Sequence, residues 1–309
     1  INAFPFYRFY KDNGFTTVGC SAVRGGEYGC VAPNYDRRLS NILKMIDTVV
    51  QNDGSWALST SWSEMLCPDE MCLYLFATLA EYSWSHRGTT LRDFNEKFSH
   101  YAFGTNDSFV IETLSLLGRF EPPLCYRSED RSDINERGIY ADTESYKELV
   151  DKRLSTLLKL SESQLETEKI RLHEITRNAK NIINLLNTKK KQIKRGKNII
   201  SHIEHGAQVL LHKARQEELF LEIEHILKNT TIRNQRKMRN TLRQLLQVMQ
   251  ELQALIKEDK RLFNKSYLPA CVKDRAQKLF QGEKEKMIEY RDMISSLLLL
   301  DSHSPNMEA

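Results

Sequence analysis

Proline is absent from Leu124 through Leu268. No pyrrolidine ring interrupts a helix anywhere in that span. A C-x-x-C pair is also missing: the six cysteines, Cys20, Cys30, Cys67, Cys72, Cys125 and Cys271, are scattered. That spacing argues against a zinc site, and no metal or cofactor is expected. A chain of 309 residues has enough apolar content to fold without disulfide staples. Free thiols in a reducing compartment are therefore expected, and with them an intracellular location, cytoplasmic or nuclear. In an oxidising compartment Cys20 and Cys30, which bracket a Gly-rich turn, would be the first pair to join. No apolar run is long enough to span a bilayer, so no membrane insertion is expected. The Gly-rich stretch Arg24-Gly-Gly-Glu-Tyr-Gly29 lacks the lysine and the spacing of a phosphate-binding loop and reads as a turn.

What is present instead is a seven-residue register. Leu158, Leu165, Leu172, Ala179, Leu186, Ile193 and Ile200 recur at one phase, and Leu154, Ile175, Ile182 and Ile203 join at the second seam position. A sustained heptad repeat asks for a coiled coil or a long helical bundle. Ser161, Glu168 and Lys189 interrupt the seam, which suits packing against several unlike helices. The candidate partner-facing seam is Leu154, Leu158, Leu165, Leu172, Ile175, Ile182, Leu186, Ile193 and Ile200. Its partner would be a second copy of the chain or an unlike subunit.

Charge divides the chain in two. Residues 1–140 hold 13 Lys/Arg and 18 Asp/Glu, whereas residues 141–309 hold 32 and 23. Pro5, Pro33, Pro68, Pro122 and Pro123 precede the helical region. A boundary near residue 140 follows. The expected organisation is a compact α-rich docking domain over 1–123, a polar linker over 124–142, a coiled-coil or antiparallel bundle over 143–300, and a tail over 301–309. The fold class is mainly α with a minor β element.

Within the first region, Asp12-Asn-Gly14 and Gly25-Gly26 predict one or two short hairpins in residues 1–35. Helices are expected over 36–51, capped by Asp36, from Pro68, from Thr90 and over the segment opening at Asn106. A winged-helix unit would share this run of short helices, but the region's acidic balance makes poor nucleic-acid contact. In the second region, Ser145 with Glu148 and Ser201 with Glu204 read as capping boxes. Lys194-Arg195-Gly196 reads as a helix end. Asn229-Thr-Thr231 and Tyr267-Leu-Pro269 mark further breaks. Three helices of similar length, near 201–228, 232–264 and 270–299, favour antiparallel neighbours.

Two basic runs stand out: Lys189, Lys190, Lys191, Lys194, Arg195 and Lys197, then Arg233, Arg236, Lys237, Arg239 and Arg243. Either could meet an acidic protein or a nucleic-acid backbone. Aromatics are nearly absent around both, which excludes base stacking as the mode. Groups that could carry chemistry are sparse. His202 and His205 read as solvated or partly buried histidines on a helical surface. Glu222 and His225 form one Glu-x-x-His, where a di-iron bundle needs two. Cys67 or Cys72 could be drawn against His86 or His100, with nothing local to support the pairing. The expectation is a non-catalytic scaffold subunit of an intracellular complex that assembles through coiled-coil helices, with a nucleic-acid- or cytoskeleton-binding protein that uses the basic runs 189–197 and 233–243 as the alternative.

Overall fold

The computed structural model describes residues 5–24, 31–54, 56–61, 67–120, 146–228, 235–265, 267 and 269–302. The chain is mainly helical with a single two-stranded sheet among these residues. Two compact units are present. One comprises residues 1–121 with 178–207, and the other residues 122–177 with 208–309. The polar linker, Ser145, Asn229–Thr231, Arg233 and most of the tail lie outside the described residues.

The first unit begins with α1 (Pro5–Asp12), β1 (Val18–Arg24), α2 (Tyr35–Gln51) and β2 (Trp56–Ser61). β1 and β2 pair in parallel, Val18 opposite Trp56 and Ser21 opposite Ser59. The hairpin expected across Asp12-Asn-Gly14 is therefore corrected, whereas the second turn signal, Gly25-Gly26, lies outside the described residues; parallel strands need a crossover, and α2 supplies it. Asp12-Asn-Gly14 terminates α1 instead of turning a hairpin. The N–H of Asn13 returns to the carbonyl of Phe9, and Gly14 adopts φ +82°. α2 packs on both strands. Its N-cap is Asn34, whose side chain accepts from the Arg37 N–H at 3.0 Å, so the cap sits two residues before the expected Asp36.

A 3₁₀ turn (Asp69–Cys72) opens into α3 (Leu73–Ser85), followed by α4 (Leu91–Phe98) and α5 (Phe109–Leu117). Thr90 caps α4 by accepting from the Asp93 N–H at 3.1 Å. Ile42, Met45, Ile46 and Val49 of α2 fill the space beneath the strands. An aromatic cluster of Tyr74, Phe94, Phe98 and Phe103 joins α3 to α4 and the turn that follows it.

The heptad-bearing segment is not one helix. α6 (Tyr146–Leu157) ends, and α7 (Glu162–Lys189) begins behind a capping box made by Ser161 and Gln164, where the sequence had shown only an interruption of the seam at Ser161. The Gln164 side chain accepts from the Ser161 N–H at 3.0 Å, and the Gln164 N–H returns to the Ser161 hydroxyl at 3.4 Å. α8 (Lys197–Lys228) starts directly after Gly196, at φ +62°. Ser201 therefore lies inside α8, where its hydroxyl donates to the Lys197 carbonyl, and it is not the expected cap. α9 (Gln235–Phe263) and α10 (Pro269–Ser302) follow, the latter with proline in its first position.

In the second unit, α10 packs against both α9 and α6. Leu154, Leu172, Phe220, Leu245, Met287 and Tyr290 belong to its buried interior, and the Phe220 and Tyr290 rings meet edge to face. That interior is also polar. Lys213 and Glu283 form a fully buried ion pair, with the ammonium 5.7 Å from the Phe280 ring centre. Glu217, wholly buried, lies 3.4 Å from both Arg153 and Arg171. Buried charges of this kind are costly alone and tolerable only when paired.

Candidate interaction surfaces

The period of two along β1 sends Gly19, Ser21 and Val23 toward α2. A Cβ at Gly19 would stand 2.4 Å from Val49, so only glycine lets α2 approach this closely. The alternate positions face away. Val18, Cys20, Trp56 and Leu58 are exposed, and register places Val18 beside Trp56 and Cys20 beside Leu58. Phe9, Tyr10 and Phe15 are likewise exposed and stack edge to face on one another.

α3 is apolar nearly all round, which normally marks a helix buried on every side. Tyr74, Leu75, Thr78 and Tyr82 are buried. Leu73, Phe76, Ala80 and Trp84, spaced three and four apart, form a second stripe that is exposed, and Trp84 is 93% accessible. The helix expected from Pro68 carries two apolar faces in its sequence, and nothing local separates them.

The expected seam is largely filled from within the chain. Leu154, Leu172 and Ile175 are buried in the second unit; Ile182, Leu186, Ile193 and Ile200 are buried in the first. Leu158 is 37% exposed and Leu165 is half-buried. These two are the seam positions with surface left to offer.

The first basic run is partly consumed internally. Lys189 pairs with Asp107 at 2.6 Å and lies over the Phe109 ring; Lys190 reaches Glu204; Arg195 donates to the His100 carbonyl at 2.8 Å. The hydrogen bond from Lys189 holds the Asp107 carboxyl below its usual range. Lys191, Lys194 and Lys197 remain exposed. In the second run Arg236, Arg239 and Arg243 line an exposed face of α9. Lys237 lies 4.0 Å from Glu222, and Arg239 contacts Gln235. From Gln235 to Gln250 the helix contains no acidic residue.

The candidates for chemistry scatter. His202 and His205 are both buried, more deeply than the solvated or partly buried positions expected of them. Glu222 is half-buried and His225 is exposed. His86 lies 3.1 Å from Asp47 and His100 3.0 Å from Asn106, so neither histidine partners a cysteine here. No group of three or more His, Cys, Asp or Glu suited to a metal ion occurs among the described residues. No helix among them is long and apolar enough to cross a membrane. Sequence reasoning missed the buried polar set His212, Lys213, Gln216 and Glu217 on α8, whose signal was polar residues clustered beside the heptad phase. It also missed Arg24, buried beside Cys67 and Cys72. The chain matches no family model, no curated protein and no solved structure.

Proposed function

We propose that this chain is a non-catalytic scaffold subunit of an intracellular multiprotein complex, and that it docks partner helices. The observation that carries this reading is the outward stripe of α3: Leu73, Phe76, Ala80 and Trp84. Contiguous exposed apolar surface marks an interaction site, and aromatic residues are the side chains that dominate interface energetics. A helix stripe at three-four spacing suits another helix laid along it. Covering what these side chains still expose, most of it on Trp84, would add favourable apolar burial. Thiols at Cys20, Cys67 and Cys72 agree with a reducing compartment. Because most of the heptad seam is occupied by this chain's own residues, the docking surface lies on α3 rather than along residues 154–200.

The test places a photo-crosslinking amino acid at position 84 of the full chain in cells, with position 97 as an exposed polar control. A discrete crosslinked species from position 84, lost on Phe76→Asp, supports the reading. Equal crosslinking from both positions overturns it.

A second reading assigns contact with an acidic protein surface or nucleic-acid backbone to Arg236, Arg239 and Arg243. Its support is the acid-free, exposed cationic face of α9. It expects binding that weakens steeply with salt and disappears in the triple Glu variant.

A further inference from the structure

Parallel strands are normally covered on both faces. In the first unit α2 packs on both strands from one side, and the other face of the sheet is open among the described residues. That face carries Val18 beside Trp56 and Cys20 beside Leu58, each pair set by the strand register.

α1 extends the same surface. Tyr7 is its buried side chain, and the Tyr7 hydroxyl donates to the Thr17 carbonyl at 3.2 Å, one residue before β1. The Lys11 ammonium donates to the Asn52 carbonyl, in the turn that leads into β2. These two tethers seat α1 beside the strand entries. Phe6, Phe9 and Tyr10, three and four residues apart, stay outside. The Tyr10 ring meets those of Phe9 and Phe15 edge to face, with centres 5.5 and 5.8 Å away.

The five rings of Phe6, Phe9, Tyr10, Phe15 and Trp56 are each 49–69% accessible. Aromatic side chains carry about 150–250 Å² apiece, so these five leave on the order of 500–700 Å² bare. A monomer rarely exposes more than a few hundred Å² of contiguous apolar surface, whereas a standard interface takes about 800 Å² from each partner. The exposed aromatic area, with Val18 and Leu58 beside it, is therefore of the size a stable dimer needs. Its charges are matched internally: Arg8 pairs with Asp12 and Lys11 with Asp53, both at 3.5 Å. A face neutralised in this way offers little to a strongly charged partner and does not repel its own copy.

We propose that this face, formed by α1 and the outward side of β1 and β2, is a homodimer interface: a second copy of the chain lies against it across a two-fold axis, so that the same aromatic residues meet from both sides. An isologous contact of this kind closes on itself and stops at two copies. It uses other residues than the α3 stripe and stands independently of that docking site.

The full chain, kept reduced with dithiothreitol so that Cys20 cannot link two copies, is weighed by light scattering behind a sizing column. Loading runs from about 1 to about 100 µM, because interfaces of this size hold at micromolar concentration or tighter. A mass of two chains is expected. Trp56→Glu should raise the dissociation constant at least about thirtyfold, as loss of a central aromatic anchor does, with the circular dichroism spectrum unchanged. Trp84→Glu, on the α3 stripe, should leave the dimer intact. Cys20 reports on the same face: after removal of the reductant, its alkylation by a maleimide should be at least about tenfold slower in the dimer than in the dilute monomer. Should Trp56→Glu not fold, the protection of Cys20 in the unaltered chain decides. A single-chain mass at the highest concentration, growth beyond two copies, a dimer indifferent to Trp56→Glu, or a dimer that leaves Cys20 unprotected overturns the assignment.

Discussion

The backbone N–H of Lys194 donates to the carbonyl oxygen of Phe103 at 2.9 Å, and the N–H of Arg195 shares that oxygen at 3.1 Å. A segment that reads as a cationic run is thus joined by its backbone to the turn after α4. Two left-handed glycines permit the approach: Gly104 at φ +69° and Gly196 at φ +62°. A Cβ on Gly104 would stand 2.9 Å from the Lys194 Cβ, and one on Gly196 would stand 2.8 Å from the Phe103 ring and 2.9 Å from the Ala102 carbonyl oxygen.

Gly196→Ala should destabilise the protein by about 2 kcal/mol or more, because the left-handed backbone and the blocked Cβ position both oppose alanine. Denaturant titration followed by circular dichroism measures it. An unchanged midpoint would contradict the close approach.

The basic run should divide into structural and free members. Lys189→Ala is expected to cost roughly 0.5–1 kcal/mol, since its Asp107 pair is about one-third exposed and screened by water. Lys191→Ala and Lys197→Ala should leave the melting temperature unchanged. The Asp107 carboxyl is held below its usual range by the Lys189 hydrogen bond, so its stabilising contribution is present above the ordinary carboxylate range. It is lost as pH falls through the lowered folded value. Comparing acid titrations of wild type and Lys189→Ala isolates it.

For the buried pair in the second unit, Lys213→Met should cost about 3–5 kcal/mol, because it strands the Glu283 carboxylate without a countercharge. The double variant Lys213→Met with Glu283→Leu should recover most of that loss. Chemical denaturation of the two variants beside wild type provides the comparison; a double variant no more stable than the single one would contradict it.

His212 supplies a pH dependence of known sign. Burial first, and then Lys213 and Arg215, lower its pKa from 6.5 to about 3, although Glu251 lies 3.8 Å away. The folded protein keeps this imidazole neutral while the unfolded chain protonates it. Stability is therefore full above pH 6.5 and falls as pH drops toward the folded value. The loss between pH 6.5 and pH 5 should be about 2 kcal/mol. Replacing His212 with leucine should flatten that slope in denaturation curves collected across the interval.

Much of the helical content was legible in the sequence. The proline-free span, the three-four spacing in α2, α9 and α10, and the signals at Thr90 and Gly196 act locally and survive into the fold. The parallel pairing of β1 with β2 was not legible, because a strand's partner across a helix leaves no mark in either strand's own pattern. Asn34, rather than Asp36, became the cap of α2 because both residues are competent and only the backbone selects between them. Likewise, apolar positions on α3 state that the helix has two apolar faces, but not which one the core takes.

By itself, the amino-acid order determined that this is a mainly α protein, where several of its helices stop, and that it carries one long apolar register flanked by cations. Those are consequences of backbone hydrogen bonding and side-chain period, and they act over a few residues. Only the tertiary structure decided that Ile182, Leu186, Ile193 and Ile200 pack in a unit with residues 1–121, that Lys189 and Arg195 serve internal contacts, that Leu73, Phe76 and Trp84 remain outside, and that Arg24 meets Cys67 and Cys72. The reason is physical: burial is set by contacts between segments far apart in the chain, and a hydrophobic period specifies that a face will be covered without specifying by what.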